Sequence, residues 1–410
     1  MKIILKRINI LEAVRENAIL GTIFFTTLNT FTASIVSFLG LHTHGFTVLL
    51  AALIYGSLIA IGALSIYKVK TAGIVFLLLI ANLYLFSYSF WSDNQPYLMS
   101  LEEITGIWGI GIPSYLCIIT LSNIEKFYDT MNKYAILVII IQTFLTIVAH
   151  LNLPWGDRSN YMEISYQLLL PIVFLMLKHK RTRFENLLVI VGLIIIVFDG
   201  ARGPLIGIVC LVIYKIILKM RNRNFFIGIL SGVAVLIIGS LKLNSIIDIV
   251  VQIALRYGFQ GSFLRRIGTG NIFSSKSRIV LYKETIRVIE RNPLFGGGMM
   301  SDRAANNGVY VHDLFLEIWS HYGLLVGSVF IVTLLFLVII MFRSKENQLK
   351  YLFISIFFST GFVRLLLSSS YLIEPSFYVM IGLAVRYVME IDYIESHTRV
   401  REFNNKKENI

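Results

Sequence analysis

His312 is the side chain whose type and position best suit taking a proton. An imidazole titrates near neutrality, and this one opens the stretch VHDLFLEIWSHYGLLVG. Asp313 stands beside it and Glu317 follows five residues on, carboxylates able to orient the ring. His321, nine residues beyond His312, is the lesser candidate. The same part of the chain supplies cations in the manner of an anion site. Arg278 opens SRIVLYKETIRVIER, and Arg265 and Arg266 lie in FQGSFLRRIGTGNIFSSKS. Arg202 sits in the turn DGARGPL, which Gly200, Gly203 and Pro204 make tight. A guanidinium grips phosphate oxygens with a two-pronged fork, so these residues point to a phosphate-bearing substrate. Plainer readings stand beside them: Arg202 as a residue snorkelling from a helix end, and Arg278 as a contact to anionic headgroups.

These groups need a scaffold, and composition says what kind. The 410 residues are 56% hydrophobic and 15% charged, far from the averages of soluble domains. Apolar runs of 17 to 25 residues recur along the chain, each able to cross a hydrocarbon layer of about 30 Å as a helix. Runs of that length exclude a β-barrel. The chain therefore reads as an all-α polytopic membrane protein. Twelve spans are expected, near 18–40, 46–67, 71–91, 98–121, 134–152, 162–177, 185–198, 204–220, 224–241, 323–342, 349–369 and 376–393. Residues 1–17 mix Lys and Arg with Ile and Leu as a short helix lying on the membrane surface would. The first apolar stretch is too long for a signal-peptide core and reads as a retained span. Cys117 and Cys210 both fall inside spans, which argues against a disulfide framework or a cysteine metal site.

A net charge of +13 would suggest nucleic acid in a soluble protein, but here the basic residues follow topology. With both termini cytoplasmic, 24 of the 37 Lys and Arg residues fall in inside segments. Of the 13 outside, ten lie between 242 and 312, leaving only Arg158, Arg202 and Arg364 in the short outer loops. These outer cations run against the positive-inside trend and need another purpose. For Arg364, just inside the outer end of the eleventh span, the plain answer is pairing with Glu374. Glu102 and Glu103, near an outer helix end, read as interfacial.

The chain thus divides into nine spans over 1–241, one large extracytoplasmic loop over 242–322, three spans over 323–395, and a cytoplasmic tail over 396–410. In the loop, SIIDIVVQIALRY places Asp248, Gln252 and Arg256 on one stripe of an amphipathic helix. A second helix over 277–291 sets Ile279, Tyr282, Ile286 and Ile289 on one face. Gly296, Gly297 and Gly298 then permit positive φ or a close approach of backbone to a ligand. No Asp-x-Asp pair, His/Cys cluster or Ser-His-Asp arrangement occurs on the outer side, so neither a metal nor another cofactor is implied.

Taken in order, DGARGPLIG, SRIVLYKETIRVIERNPLFGGGM and VHDLFLEIWSHYGLLVG resemble the signature of the bacterial O-antigen polymerase and ligase superfamily, over roughly 185–345. The resemblance implies a metal-independent, GT-C-like inverting glycosyltransferase acting on undecaprenyl-diphosphate-linked glycans at the outer face of the inner membrane. By position, Arg202 and Arg278, with Arg265 and Arg266 beside them, would bind the diphosphate, and His312 would activate the acceptor hydroxyl. Asp313 stands where the family usually has Asn. Donor and acceptor lipids, membrane lipids and a chain-length regulator are the expected partners. Polymerase is favoured over ligase, because polymerases are the more numerous and diverse branch of the resemblance. A flippase would place charged or broken-helix sites at mid-membrane and show internal repeats, and neither is evident.

Overall fold

A computed structural model of the chain describes residues 2–41, 43–69, 71–150, 161–199, 202–219 and 276–389. Among these residues every regular element is helical. The helices used below are α1 (Lys2–Ile23), α2 (Phe25–Phe38), α3 (Thr43–Ser65), α4 (Thr71–Phe90), α5 (Gln95–Leu98) and α6 (Leu101–Ile104). They continue with α7 (Ile112–Ile119), α8 (Ile124–His150), α9 (Tyr161–Leu177), α10 (Arg183–Asp199) and α11 (Arg202–Lys219). The last are α12 (Lys276–Arg291), α13 (Ser301–Ala305), α14 (Leu314–Arg343), α15 (Gln348–Ile356) and α16 (Pro375–Met389).

Among the described residues four helices are long and apolar enough to cross a membrane, or five if α1 and α2, bent by 80°, count as one broken span. Shorter apolar helices occupy Glu163–Leu177, Gly203–Leu218 and Pro375–Met389. The chain is an all-helical integral membrane protein. Several of the twelve expected spans are interrupted. The one near 98–121 is built from α6, a π-helical turn at Thr105–Gly111, and α7. The one near 349–369 is helical only to Gly361, after which Phe362–Ile373 runs in turns. Such irregular backbone is tolerable at membrane depth when protein satisfies it. Here Val363 N donates to Phe357 O at 3.1 Å, Arg364 N to Ser359 O at 3.0 Å and Ser368 N to Arg364 O at 2.8 Å. The expected span 224–241 and the expected helix at 245–257 lie outside the described residues.

The amino-terminal segment departs from the surface helix expected of it. Glu12, Arg15 and Glu16 share one face of α1, and all three are buried. Arg15 binds Glu12 and reaches Ser65 Oγ at 3.1 Å, while Glu12 accepts from Ser122 N at 3.1 Å and Glu16 from Thr130 Oγ1 at 2.8 Å. Charges buried this way are paired and hydrogen-bonded, which is what permits their burial.

The glycine triplet and α14 hold each other. Gly323 adopts φ 71° and ψ 176°, breaking α14 between Tyr322 and Leu324. The break frees carbonyls before it and amides after it, and the 293–298 segment satisfies both. Gly297 N donates to Ser320 O at 2.8 Å and Gly298 N to His321 O at 2.9 Å. In return Leu324 N donates to Pro293 O at 2.6 Å and Leu325 N to Leu294 O at 3.3 Å. The other side of the turn is fixed by α4 and the turn after it: Met299 N donates to Ser87 Oγ at 2.8 Å, and Asn94 Nδ2 donates to Gly297 O at 2.6 Å.

Helix α12 leaves much of its apolar stripe exposed. Ile279 is 52% exposed and Ile286 41%, whereas Thr285 is fully buried. Asn306 Nδ2 donates to Thr285 Oγ1 at 3.0 Å, and Val288 packs against Gly297. That register sets Arg278, Tyr282 and Thr285 on one side, toward the body of the protein.

Candidate active site

Helix α14 begins at Asp313, whose Oδ1 accepts from Leu316 N at 2.9 Å. This is an N-cap, a role that Asn and Asp fill about equally, so the departure at this position keeps the cap. His312 directly before it has φ 60°, a left-handed value unusual for a residue with a Cβ. Its ring lies 4.2 Å from that of Tyr310, centroid to centroid, and stands beside the Ser368 backbone. Nδ1 is buried and has no hydrogen-bond partner. Burial and then the nearby Arg278 charge hold the imidazole below its ordinary value of 6.5.

Arg278 is half-buried, lies beside Tyr282, and also acts electrostatically on Tyr166 of α9. Tyr166 is a corner post. It lies beside Ser368, carries the Arg364 guanidinium 4.9 Å above its ring, and stands against Gly203, where an added Cβ would collide with its hydroxyl. Gly203 is the second residue of α11, so the backbone of Arg202 borders the same corner. Arg364 pairs with Glu374 at 3.3 Å, while its Nε is buried without a partner. Arg278, His312, Arg364 and the start of α11 therefore surround the Tyr166–Ser368 contact. Arg265 and Arg266 lie outside the described residues.

Glu317, expected beside His312, instead belongs to a buried charge cluster centred on Arg303. That guanidinium, 2% exposed, donates to Glu103 Oε1 at 2.7 Å, Asp302 Oδ1 at 3.0 Å, Glu317 Oε1 at 3.0 Å and Ser370 Oγ at 2.7 Å. Glu103 is thus buried and paired, while Glu102 is exposed. Asp302 Oδ1 lies 2.8 Å from His321 Nε2, and His321 Nδ1 lies 2.9 Å from the Tyr371 hydroxyl. Burial opposes the charge of Asp302, but Arg303 and His321 outweigh it and hold the carboxyl well below its usual range. Burial likewise opposes the Arg303 charge, and Asp302, Glu317 and Glu103 more than offset it. Asp302, Glu317 and His321 lie close enough together to hold a metal ion. Arg303 already stands between the two carboxylates, however, and Asp302 bonds His321 directly, so a resident cation would have to displace both. The acidic neighbours Asp302, Glu317 and Glu103 were visible in sequence, but only the fold brings them to Arg303.

These cations, the histidine and the broken α14 all lie in or beside one continuous stretch of chain. Residues 187–331 match the family model described as O-antigen ligase. That stretch is a domain of the O-antigen polymerase and ligase superfamily. Members of the O-antigen ligase family are glycosyltransferase-like enzymes. The domain takes in Arg202, Arg278, Asp302, Arg303 and His312, whereas Tyr166, Arg364 and Ser368 come from the chain on either side of it. No curated protein matches the chain, and no solved structure does.

Proposed function

We propose that the chain is an O-antigen or capsular polysaccharide polymerase of the inner membrane. It moves a growing glycan from undecaprenyl diphosphate to the sugar end of a second lipid-linked repeat unit. The observation that carries this reading is the meeting of Arg278, His312, Arg364 and the start of α11 around Tyr166 and Ser368.

The chemistry follows from those groups. The acceptor hydroxyl oxygen attacks the anomeric carbon of the donor sugar and forms the new glycosidic bond. The bond from that carbon to the diphosphate oxygen breaks, and its electron pair leaves with the diphosphate. Inversion results from attack opposite the departing group. His312, kept neutral at pH 7 by burial and Arg278, takes the hydroxyl proton. Arg278 and Arg202 meet the negative charge that develops on the leaving diphosphate, with Arg265 and Arg266 as further contacts. Fixed cations in a dry, membrane-edge site stabilise such charge without a metal.

A ligase, which would hand the glycan to lipid A core, uses the same donor chemistry and is the second reading. A deletion strain separates the two by its glycan ladder. Single repeat units on the final acceptor mean that a polymerase was lost. Long lipid-linked chains left unattached mean that a ligase was lost, and would overturn the polymerase assignment.

A further inference from the structure

The loop between α13 and α14 is held in an unfavourable shape. In it Asn307 and His312 take φ of 52° and 60°, and Met300, just before α13, takes 69°; these are left-handed values that Asn tolerates but that cost a residue such as Met or His. Something must over-determine that shape, and the restraints converge on two adjacent residues. Asp302 Oδ2 accepts from Val311 N at 3.1 Å, pinning the residue before His312. The backbone carbonyl of Arg303 accepts from Gly308 N at 2.8 Å. The Arg303 guanidinium lies 5.6 Å from the centre of the Tyr310 ring, and that ring in turn packs against His312. Tyr310 is tied from the far side by its hydroxyl, which donates to Ser368 O at 3.2 Å.

We propose that Asp302 and Arg303 are positioning residues for His312: buried and out of reach of substrate, they fix the loop and the Tyr310 ring against which the imidazole is set. This rests on the reading of His312 as the base. The guanidinium suits the task because its fork reaches three separate parts of the chain at once, Glu103 on α6, Glu317 on α14 and Ser370 in the 362–374 segment. Arg303 is therefore not one of the substrate's cations, although its charge lies on the same stretch as Arg278. The charged groups around His312 include Arg278 on α12, Asp302 and Arg303 on α13, and Asp313 next to it in the chain. Arg364 and Glu374 stand beside Tyr310 from the segment after α15.

The test uses the full-length protein in nanodiscs, with lipid-linked repeat units as donor and acceptor. R303K keeps the charge but replaces the fork by one ammonium, so it cannot bridge the three segments. A misplacement of about 1 Å at a reacting group costs on the order of 100-fold in rate. For R303K, kcat is expected to fall by about that factor while KM for the donor stays within about threefold, the diphosphate arginines being untouched. S370A removes a single arm and is expected to give a smaller fall in kcat, about threefold to tenfold, which keeps the idea testable if R303K does not accumulate. D302N removes a charge that favours the imidazolium, so the titration of His312, followed by NMR on labelled histidine and assigned with H312Q, should move to lower pH. Wild-type kcat in both R303K and S370A, or an unmoved His312 titration in D302N, would overturn the proposal. Activity surviving in H312A would instead refute the base, and the NMR titration would still report on the positioning.

Discussion

Gly296 and Gly323 meet backbone to backbone. A Cβ on Gly296 would stand 2.4 Å from the Gly323 amide nitrogen, and one on Gly323 would stand 2.4 Å from the Leu294 carbonyl. Both residues also have positive φ, 72° and 71°. Alanine at either position should therefore destabilise the protein. The left-handed backbone alone costs roughly 1–2 kcal/mol for an L-residue, before any displacement of the turn. Gly45 of α3 has nothing within 4 Å of its missing Cβ, and alanine there should be neutral or stabilising. Thermal unfolding in detergent checks the contrast. Equal midpoints for G323A and G45A would contradict it.

Asp313 should tolerate asparagine and not alanine. The cap to Leu316 N needs an acceptor oxygen, which both acidic and amide side chains supply. D313N is expected to change stability by less than about 0.5 kcal/mol, and D313A to lower it by about 1 kcal/mol. Denaturation of the two variants beside wild type decides it. A larger loss of glycan transfer in D313N than in D313A would mean that the carboxylate does more than cap.

Transfer should depend on pH through His312. Burial and Arg278 lower its pKa from 6.5, so the neutral base dominates at pH 7 and the rate should be flat from there upward. The rate should fall on acidification only once pH drops through the lowered value. R278Q removes a positive charge that favours the neutral form, so the acid limb should move to higher pH, besides weakening donor binding. The sign for stability follows. A histidine whose folded pKa lies below its unfolded one contributes stability above the unfolded value and loses it as pH falls below that value. A rate profile for R278Q with its acid limb unmoved would show that Arg278 does not act on His312.

The features legible in sequence were those made by neighbours along the chain. The pairing of Arg364 with Glu374 spans ten residues, and the glycine triplet asked for positive φ or a close approach, whereas Asp313, read as orienting His312, caps α14 instead. The approach exists, but the partner is the backbone of Gly323 rather than a ligand. What stayed hidden depends on distant partners. Arg303 is one cation among ten until Glu103, 200 residues away, is brought to its Nε. The burial of Glu12, Arg15 and Glu16 in a segment read as a surface helix stayed hidden because Ser65, Ser122 and Thr130, which permit it, are remote in sequence. Which side of α12 packs inward was also hidden, because the helix is registered by the Thr285–Asn306 bond and by Val288 against Gly297.

The exposed side of α12 offers a test of orientation. Lys283 and Arg287 are exposed on that helix, while Cys117 is buried and Cys210 is half-buried in α11. A cysteine at position 283 should react with a membrane-impermeant thiol reagent added outside intact spheroplasts. Labelling only after lysis would put α12 on the cytoplasmic side and remove the site from the face where lipid-linked repeat units are joined.

The proton transfer proposed for His312 is decided by the length of the glycan that H312A makes. With the variant inserted at wild-type level, the ladder is expected to stop at a single repeat unit. Full-length polymer from H312A would mean that another group takes the proton.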